Sequence, residues 1–340
     1  MGPCMNTIGN FGFLLIAVVG AVLASRPETD MFYISIGTIQ AFITYSKQFT
    51  RPINEIANQY AQIQSALAGA ERVFDVMDSE PEDQGGNEPF EIENVKGDLN
   101  FKDIDFSYVK GEQVLKHFDL WVKSGQKIAI VGATGSGKTT VVNLLTRFYD
   151  IDGGVITLDG QDIRNIPVNK LRGSIGIVLQ DTVIFSDTIA QNIRYGRIDA
   201  TDEEIVEAAK IARVDDFASK LSDGYNTMLT EGGSNLSQGQ RQLISIARAV
   251  LADPKILILD EATSSIDTRT EMHIQEAMVA LMKGRTSLII AHRLSTIRDA
   301  DKIVVISGGK VVEAGDHDEL LAQKGEYYKL YQSQFAGIAT

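Results

Sequence analysis

The sequence predicts an α/β domain with a mostly parallel core sheet, preceded by an all-α segment made of a transmembrane hairpin and a stalk helix. Three observations support this prediction. Two apolar stretches stand at the N-terminus, a helical seam of apolar residues follows them, and from Phe90 onward short β-rich runs alternate with helical runs. Such alternation is typical of a parallel sheet that is covered by helices.

Composition limits the possible functions. The 340 residues are enough for two domains, and an apolar content of 44% argues against an extended disordered chain. The net charge of −13 argues against nucleic acid as the main partner, because phosphate backbones are bound by basic surfaces. Cys4 is the single cysteine, so an intrachain disulfide is excluded and a thiol-ligated metal site is not expected.

The first apolar stretch, residues 8–24, carries no charged side chain. As a helix it would cover about 26 Å, near the thickness of a bilayer core. A buried globular helix and a signal peptide are the alternatives, but a signal peptide has a basic start and no residue before Ser25 is charged. A polar turn at residues 25–30 and a second apolar stretch at residues 31–45 complete a predicted transmembrane hairpin. Lys47 and Arg51 follow the second span, which places its end on the cytoplasmic side.

The second helix is predicted to continue beyond the membrane as a rigid stalk. Apolar residues recur there at alternating steps of three and four, the spacing of a seam that packs on neighbouring helices. These residues are Ile53, Ile56, Tyr60, Ile63, Leu67, Ala70, Phe74 and Met77. Residues 78–89 are rich in Pro, Gly and carboxylates and read as a linker. The predicted domains are therefore residues 1–77, the linker 78–89, and residues 90–340.

The third segment carries the strands of the predicted sheet. Each is a short apolar or β-rich run bounded by turn residues. The candidate strands are residues 98–108, 127–131, 155–158, 175–179, 256–259, 287–290 and 302–306.

A glycine-rich loop with the pattern G-x-x-x-x-G-K-[ST] follows the strand at residues 127–131 and opens a helix. Its residues are Gly132, Ala133, Thr134, Gly135, Ser136, Gly137, Lys138, Thr139 and Thr140. The glycines let backbone N–H groups surround a phosphate, Lys138 would reach its β- and γ-oxygens, and the Thr139 hydroxyl would ligate Mg²⁺. The alternative is a glycine-rich turn with an exposed lysine. The strand before the loop and the helix after it favour a site for a nucleoside triphosphate.

Two carboxylates end the strand at residues 256–259. Asp260 suits a contact to Mg²⁺, and Glu261 suits the general base that polarises an attacking water. The alternative is an ordinary acidic strand end, which is less favoured because Lys138 stands upstream.

A second anion site is predicted at residues 235–242, where a serine and a glycine open another helix. One ATPase domain has no evident need for two γ-phosphate sites, so the second would serve a nucleotide held by another copy. Here the chain closely resembles the ATP-binding cassette (ABC) transporters, in particular the exporter type, in which membrane helices precede the ATPase. Ser237, Gln238, Gly239 and Gln240 stand in the family signature L-S-G-G-Q, where Gln238 replaces a glycine.

The resemblance implies further site residues. Tyr108 resembles the aromatic that stacks on adenine, and Gln180 the residue that contacts Mg²⁺ and the attacking water. Asp267 lies in a segment similar to the loop that crosses to the opposite site, and His292 resembles the histidine that contacts the γ-phosphate. The implied catalytic set is thus Glu261, His292, Gln180 and Lys138.

The resemblance also implies a fold and partners. The ATPase domain would add an antiparallel β part and a helical subdomain to the core sheet, bind ATP and Mg²⁺, and hydrolyse ATP. A second half-transporter chain, in a homo- or heterodimer, membrane lipid and an unidentified transported substrate would be the partners. The chain would be an integral protein of a bacterial plasma membrane with its ATPase domain in the cytoplasm.

Exporters of this type have six membrane helices per half, so this chain is expected to be an N-terminally truncated form. The alternatives are a truncated ATP-binding fragment that does not transport, and a soluble ABC ATPase.

Overall fold

A computed structural model describes residues 2–86, 89–179, 182–260, 268–291 and 294–334. The chain divides into two compact units, Met1–Glu82 and Asp83–Thr340.

The first unit consists of two helices that contact each other, α1 (Gly2–Ala24) and α2 (Ile36–Met77). Ser35 caps the N-terminus of α2, where its hydroxyl accepts a hydrogen bond from the backbone N–H of Thr38. Pro52 lies inside α2, which nevertheless runs on to Met77. The predicted second span and the predicted stalk are therefore parts of one helix of 42 residues.

The transmembrane hairpin predicted from the sequence is not supported by the structure. Within the part of the chain that is described, no helix combines the length and the apolar character needed to cross a bilayer. In α2, the polar side chains of Gln40, Lys47, Gln48 and Arg51 interrupt the apolar sequence.

The predicted seam of α2 is exposed to solvent in the single chain. Ile56 is 67% exposed, Leu67 59% and Met77 70%. On α1, Phe11 is 70% exposed and Leu15 63%. Both helices thus present large apolar side chains that no described part of the chain covers.

The second unit contains ten strands and ten α-helices among its described residues. The strands are β1 (Leu99–Val109), β2 (Glu112–Val122), β3 (Lys127–Val131), β4 (Gly153–Leu158), β5 (Gln161–Asp162), β6 (Ile175–Val178), β7 (Ile256–Asp260), β8 (Thr286–Ile290), β9 (Lys302–Ser307) and β10 (Lys310–Gly315). The helices are α3 (Lys138–Leu145), α4 (Val168–Gly173), α5 (Ile189–Arg194), α6 (Asp202–Ile211), α7 (Asp215–Ala218), α8 (Gln238–Ala252), α9 (Thr268–Met282), α10 (Leu294–Arg298), α11 (His317–Gln323) and α12 (Glu326–Gln334). Short 3₁₀ helices lie at Ile92–Asn94, Gly224–Asn226 and Glu231–Gly233.

The strands form two sheets. The larger has the order β10-β9-β3-β8-β7-β6, and all its pairs are parallel except the edge pair of β9 and β10. The smaller is antiparallel, with the order β2-β1-β4-β5. The predicted parallel core sheet and antiparallel β part are both confirmed.

The six-stranded sheet is buried on both faces because its successive side chains enter two different cores. On β3, Ile128 and Ile130 pack in the core that also holds α3 and the smaller sheet. Ala129 and Val131 pack in the core that holds α6 and α8. The same alternation occurs on β7, β8 and β9. Helices α3 and α8 therefore lie on opposite faces of the sheet.

A buried threonine ties the two sheets together. Thr286, at the start of β8, is 1% exposed. Its hydroxyl donates to the carbonyl of Gly97 at 2.8 Å and accepts from the N–H of Gly125 at 2.9 Å. The contact joins the segments that precede β1 and β3, and it satisfies polar groups that would otherwise be costly to bury.

Arg147, just after α3, holds the segment that opens the second unit. Its guanidinium is buried and donates to the carboxylate of Asp83 at 3.0 Å, to that of Asp150 and to the carbonyl of Arg164. The Gly85 amide and then the Arg147 guanidinium hold the pKa of Asp83 below its usual value. The chain is thus anchored to the C-terminal end of α3 as soon as it enters this unit.

Candidate functional site

The predicted phosphate loop, residues 132–138, connects the end of β3 to α3 at the carboxyl edge of the parallel sheet. Edges of this kind are where ligands bind in open α/β sheets. A Cβ atom at Gly132 would lie 2.3 Å from the carbonyl oxygen of Ile306 on β9, so only glycine fits there. Gly137 has φ of +108° and forms the N-terminal end of α3. This left-handed conformation favours glycine and turns the loop into the helix.

Lys138 lies within this loop and is 9% exposed. Its ammonium donates to the carbonyls of Gly132 at 2.8 Å and Ala133 at 2.9 Å. An ammonium group has three donors, so these bonds leave one for a ligand. Burial lowers the pKa of Lys138, and the charge of Asp260 opposes that shift. The lysine and the carboxylate at the end of β7 are thus electrostatically coupled.

Ser136 provides a test of whether the loop fits a phosphate. Its hydroxyl is buried and has no hydrogen-bond partner among the described residues. A buried polar atom without a partner is costly unless a ligand or water satisfies it. A phosphate oxygen held by the loop would do so, and the Lys138 ammonium would balance its charge. The residues of the loop therefore fit a triphosphate.

Tyr108, near the end of β1, is 45% exposed and is held against α3 by its hydroxyl. The hydroxyl donates to Thr140 Oγ1 at 3.2 Å and accepts from the amide of Asn143 at 3.1 Å. The ring of Tyr108 is nearly perpendicular to the rings of Phe106 and Tyr149, with ring centroids 4.8 and 4.9 Å apart. The rings of Phe106 and Tyr149 are inclined at 63° to each other, with centroids 5.8 Å apart. The structure thus places an ordered, accessible aromatic ring beside the phosphate loop.

The remaining described candidates for metal binding are Thr139 and Asp260. Thr139 is exposed at the first turn of α3, and Asp260 is the last residue of β7. No cluster of three or more His, Cys, Asp or Glu that could hold a metal was found in the described parts of the chain. Mg²⁺ commonly takes one or two protein oxygens and completes its shell with phosphate and water, so these two residues fit that mode.

The predicted signature segment opens α8. Ser237 and Gln240 form a capping box, in which Ser237 Oγ accepts from the N–H of Gln240 at 3.2 Å and Gln240 Oε1 accepts from the N–H of Ser237 at 2.9 Å. Arg241 donates to the carbonyls of Gly233 and Leu236, which fixes the turn before the helix. Ser237 and Gln238 are exposed, whereas Gly239 is buried.

The phosphate loop and the signature segment are not brought together within this chain's core. Helix α3 packs on one face of the parallel sheet and α8 on the other. The two predicted anion sites therefore belong to different faces of the same domain.

Four predicted residues lie outside the described residues. They are Gln180, Glu261, Asp267 and His292.

Sequence reasoning missed residues that support the site. Asn143 and Tyr149 surround Tyr108, and no motif marked them.

A second omission is the group around Arg248, whose guanidinium donates to Asn192 Oδ1 and to the carbonyls of Asn192 and Val183, all at 2.6 Å. The same guanidinium lies over the stacked rings of Phe185 and Tyr195. Phe185 and Tyr195, two aromatic residues in the segment after Gln180, were the available signal in the sequence.

The fold and the loop geometry define a nucleotide-binding P-loop domain, and comparison with known proteins gives its family. Residues 115–264 match the family model described as ABC transporter. This match confirms the predicted resemblance to the ABC transporters.

Relatives at high identity support the assignment. The chain is 54% identical to "Uncharacterized ABC transporter ATP-binding protein YfiC" of Bacillus subtilis, over 97% of this chain and 54% of that protein. It is 51% identical to "Fatty acid ABC transporter ATP-binding/permease protein" of Mycobacterium tuberculosis, over 96% of this chain and 51% of the relative. It is 45% identical to "ATP-dependent lipid A-core flippase" of Syntrophus aciditrophicus, over 98% and 54%.

A solved structure is also similar. "Structure of a bacterial Atm1-family ABC exporter with ATP bound" matches with a TM-score of 0.71 and 36% identity, covering 97% of this chain and 57% of that one. The chain thus spans about half the length of the relatives it matches.

Proposed function

We propose that this chain is the ATP-binding and ATP-hydrolysing part of an ABC exporter, in which pairing of two ATPase domains drives export of a substrate across a membrane. The observation that carries the proposal is the phosphate loop with the unpartnered buried hydroxyl of Ser136 and the buried ammonium of Lys138. The relatives that are named as a fatty acid transporter and a lipid A-core flippase support the exporter type and favour a lipid as the class of substrate.

Each site residue has a proposed role. The backbone N–H groups of residues 132–138 and the Lys138 ammonium hold the β- and γ-phosphates, and Tyr108 stacks on the adenine. Thr139, Asp260 and Gln180 hold Mg²⁺, which would neutralise charge that develops on the phosphates. Glu261 takes the proton of the attacking water, and His292 contacts the γ-phosphate.

A complete site requires a second chain. Because α3 and α8 lie on opposite faces of the parallel sheet, Ser237 and Gly239 cannot close over the nucleotide at their own Lys138 without rearranging the core. The exposed start of α8 is available to a nucleotide on a second copy or on a homologous half-transporter. Asp267 would cross to the opposite site in the same pairing.

The first unit is proposed to associate with membrane lipid. Its exposed apolar side chains on α1 and α2 would be covered by lipid or by helices of the complete exporter. The relatives that are named as permeases support this part of the proposal. The proposed location is a bacterial plasma membrane, with the ATPase unit on the cytoplasmic side.

The composite site can be tested by mixing two inactive variants. Lys138→Ala removes the phosphate-loop cation, and Ser237→Arg blocks the signature surface. Each variant alone should be nearly inactive in ATP hydrolysis. In a mixed dimer, one of the two sites combines an intact Lys138 with an intact Ser237, so mixing should restore a substantial part of the activity.

The controls for this experiment separate pairing from other effects. The specific activity of the unmodified chain should rise with protein concentration. Glu261→Gln should lower turnover by about 10²-fold or more while ATP still binds. Failure of the mixture to regain activity, with both variants folded and the unmodified chain active at every dilution, would show that each chain hydrolyses ATP alone.

A further inference from the structure

A basic cavity lies beside the start of α8, on the surface that carries the signature segment. Its volume is about 350 Å³. Residues from three helical regions line it, including Arg213, Lys220, Arg269, His273 and Gln240. The described lining contains one acidic residue, Asp216. In a chain with a net charge of −13, this is a local concentration of positive charge.

The spacing of these residues explains why they share one cavity. Arg269 and His273 are four residues apart on α9, so they lie on one face of that helix. Arg213 follows α6 in the left-handed conformation, with φ of +60°. Glycine is favoured at such a position after a helix. An arginine there costs some backbone strain and places a guanidinium at the cavity.

The charges of the cavity are only partly paired. Arg213 forms an ion pair with Glu276 at 2.8 Å, and His273 lies 3.7 Å from Asp216. The side chains of Lys220 and Arg269 make no ion pair or hydrogen bond with any residue that the structure describes. Two cations therefore remain available to an anion that enters the cavity.

We propose that this cavity binds a phosphate group, as a site separate from the phosphate loop. Arg269 suits two parallel hydrogen bonds to phosphate oxygens, and Lys220 adds a compact charge. The group could be a free phosphate compound or the headgroup of an anionic phospholipid, since both present the same oxygens. Gln240 lines the cavity and also closes the capping box with Ser237, so a bound phosphate contacts the residue that fixes the start of the signature helix.

The test uses the full chain and pyrophosphate as the probe. Lys138→Ala is introduced in every sample to weaken binding at the phosphate loop, and calorimetric titration then measures the remaining site. Saturable binding of one pyrophosphate per chain is expected. Arg269→Gln or Lys220→Gln should raise the dissociation constant about three- to tenfold, because each removes a cation that hydrogen-bonds to the phosphate. Lys210→Gln is the matched control, since it removes a nearby exposed lysine that does not line the cavity, and it should leave binding unchanged.

A second arm distinguishes the source of the phosphate. Binding to vesicles of phosphatidylglycerol and phosphatidylcholine is compared with binding to phosphatidylcholine alone. If only vesicle binding depends on Lys220 and Arg269, the site binds a lipid headgroup. If pyrophosphate binding depends on them, the site binds a soluble phosphate. Absence of saturable binding in both arms, or equal weakening by Lys210→Gln, would overturn the proposal. If Lys138→Ala destabilises the chain, the unmodified chain replaces it, and loss of one of two bound pyrophosphates in Arg269→Gln is then the expected result.

Discussion

Lys138 shows how one side chain can serve the loop and the ligand together. Its ammonium bonds two carbonyls of the loop, yet burial disfavours its charge, and the charge of Asp260 opposes that penalty. An anion of the right shape would lower the cost of keeping the charge buried. The position was predictable from the sequence because the spacing of glycines and lysine in the loop is itself the requirement of the chemistry.

Lys138→Ala should weaken ATP binding by about tenfold or more, since a hydrogen bond from a charged group to phosphate is lost. The measurement is titration with a fluorescent ATP analogue. The thermal unfolding midpoint is measured beside it, because the two bonds to the loop are lost as well. Unchanged affinity in a folded variant would refute the proposed role.

Asn143 could not be found from the sequence. It lies 35 residues from Tyr108, and only the packing of β1 against α3 brings its amide to the tyrosine hydroxyl. Tyr149 is a similar case, because a ring contact between a strand and a turn leaves no local pattern. The residues that hold the candidate site in position depend on tertiary packing, whereas the residues predicted to touch the ligand follow a motif.

Asn143→Ala should raise the KM for ATP about three- to fivefold with little change in kcat, because the ring of Tyr108 loses one neutral hydrogen bond that orients it. Tyr108→Phe removes the same bond from the other side. The double variant should therefore be no worse than Tyr108→Phe alone, as expected for two residues that act through one contact. Additive effects on KM would mean that Asn143 acts independently of the ring.

At the level of elements, the strands were predicted well where they are buried and short. Strand β3 has the predicted bounds, and β7, β8 and β9 differ from prediction by one residue at one end. Strand β2 was not proposed, because a bulge breaks its alternation. His117 has φ of +47°, and Leu115 and Phe118 are both buried although they are three residues apart. Bulges are set by pairing with a neighbouring strand, which sequence periodicity does not show.

The place of His117 in this bulge leads to a prediction of how the stability of the fold depends on pH. Hydrogen bonding to Asp103 and the charge of Asp105 raise the pKa of His117 above 6.5 in the folded chain, against a smaller effect of Lys310. A raised pKa means that the charged ring stabilises the fold at pH values below 6.5, and this contribution is lost as the pH rises through the folded value. The effect should be small because the ring is exposed to solvent.

The measurement is the unfolding midpoint between pH 5.5 and 8. His117→Gln should flatten the decline of the midpoint with rising pH, and Asp103→Asn should do the same in part. Parallel curves for the unmodified chain and His117→Gln would contradict the assignment.

The capping box of α8 separates a structural role from a ligand role. Ser237→Ala should lower the free energy of unfolding by about 1 kcal/mol through loss of the cap, and it should also lower ATP hydrolysis. Ser237→Asn keeps a capping side chain, so it should restore most of the stability without restoring hydrolysis. Thr201 closes an equivalent capping box on α6, and Thr201→Ala is the control that costs similar stability with hydrolysis unchanged. If Ser237→Ala, Ser237→Asn and Thr201→Ala each lose hydrolysis in proportion to their loss of unfolding free energy, the role of Ser237 is structural only.

At the level of the whole molecule, the sequence indicated an α-helical segment followed by an α/β domain, and the structure has a unit of each kind. The transmembrane hairpin was the prediction that failed to gain support, because no described helix combines the length and the apolar character needed to cross a bilayer. That the two predicted anion sites lie on opposite faces of one sheet could not be read from motif order. It follows from the alternation of side chains between two cores.

The anchor at Arg147 has a mechanical consequence. A force applied to the chain before Asp83 would reach the second unit first at the Asp83–Arg147 ion pair, and would therefore load the last turn of α3. The phosphate loop lies at the other end of this eight-residue helix. Helix α3 is thus a short lever with the phosphate loop at one end and the incoming chain at the other, so a pull on that chain is transmitted along the helix axis towards the loop.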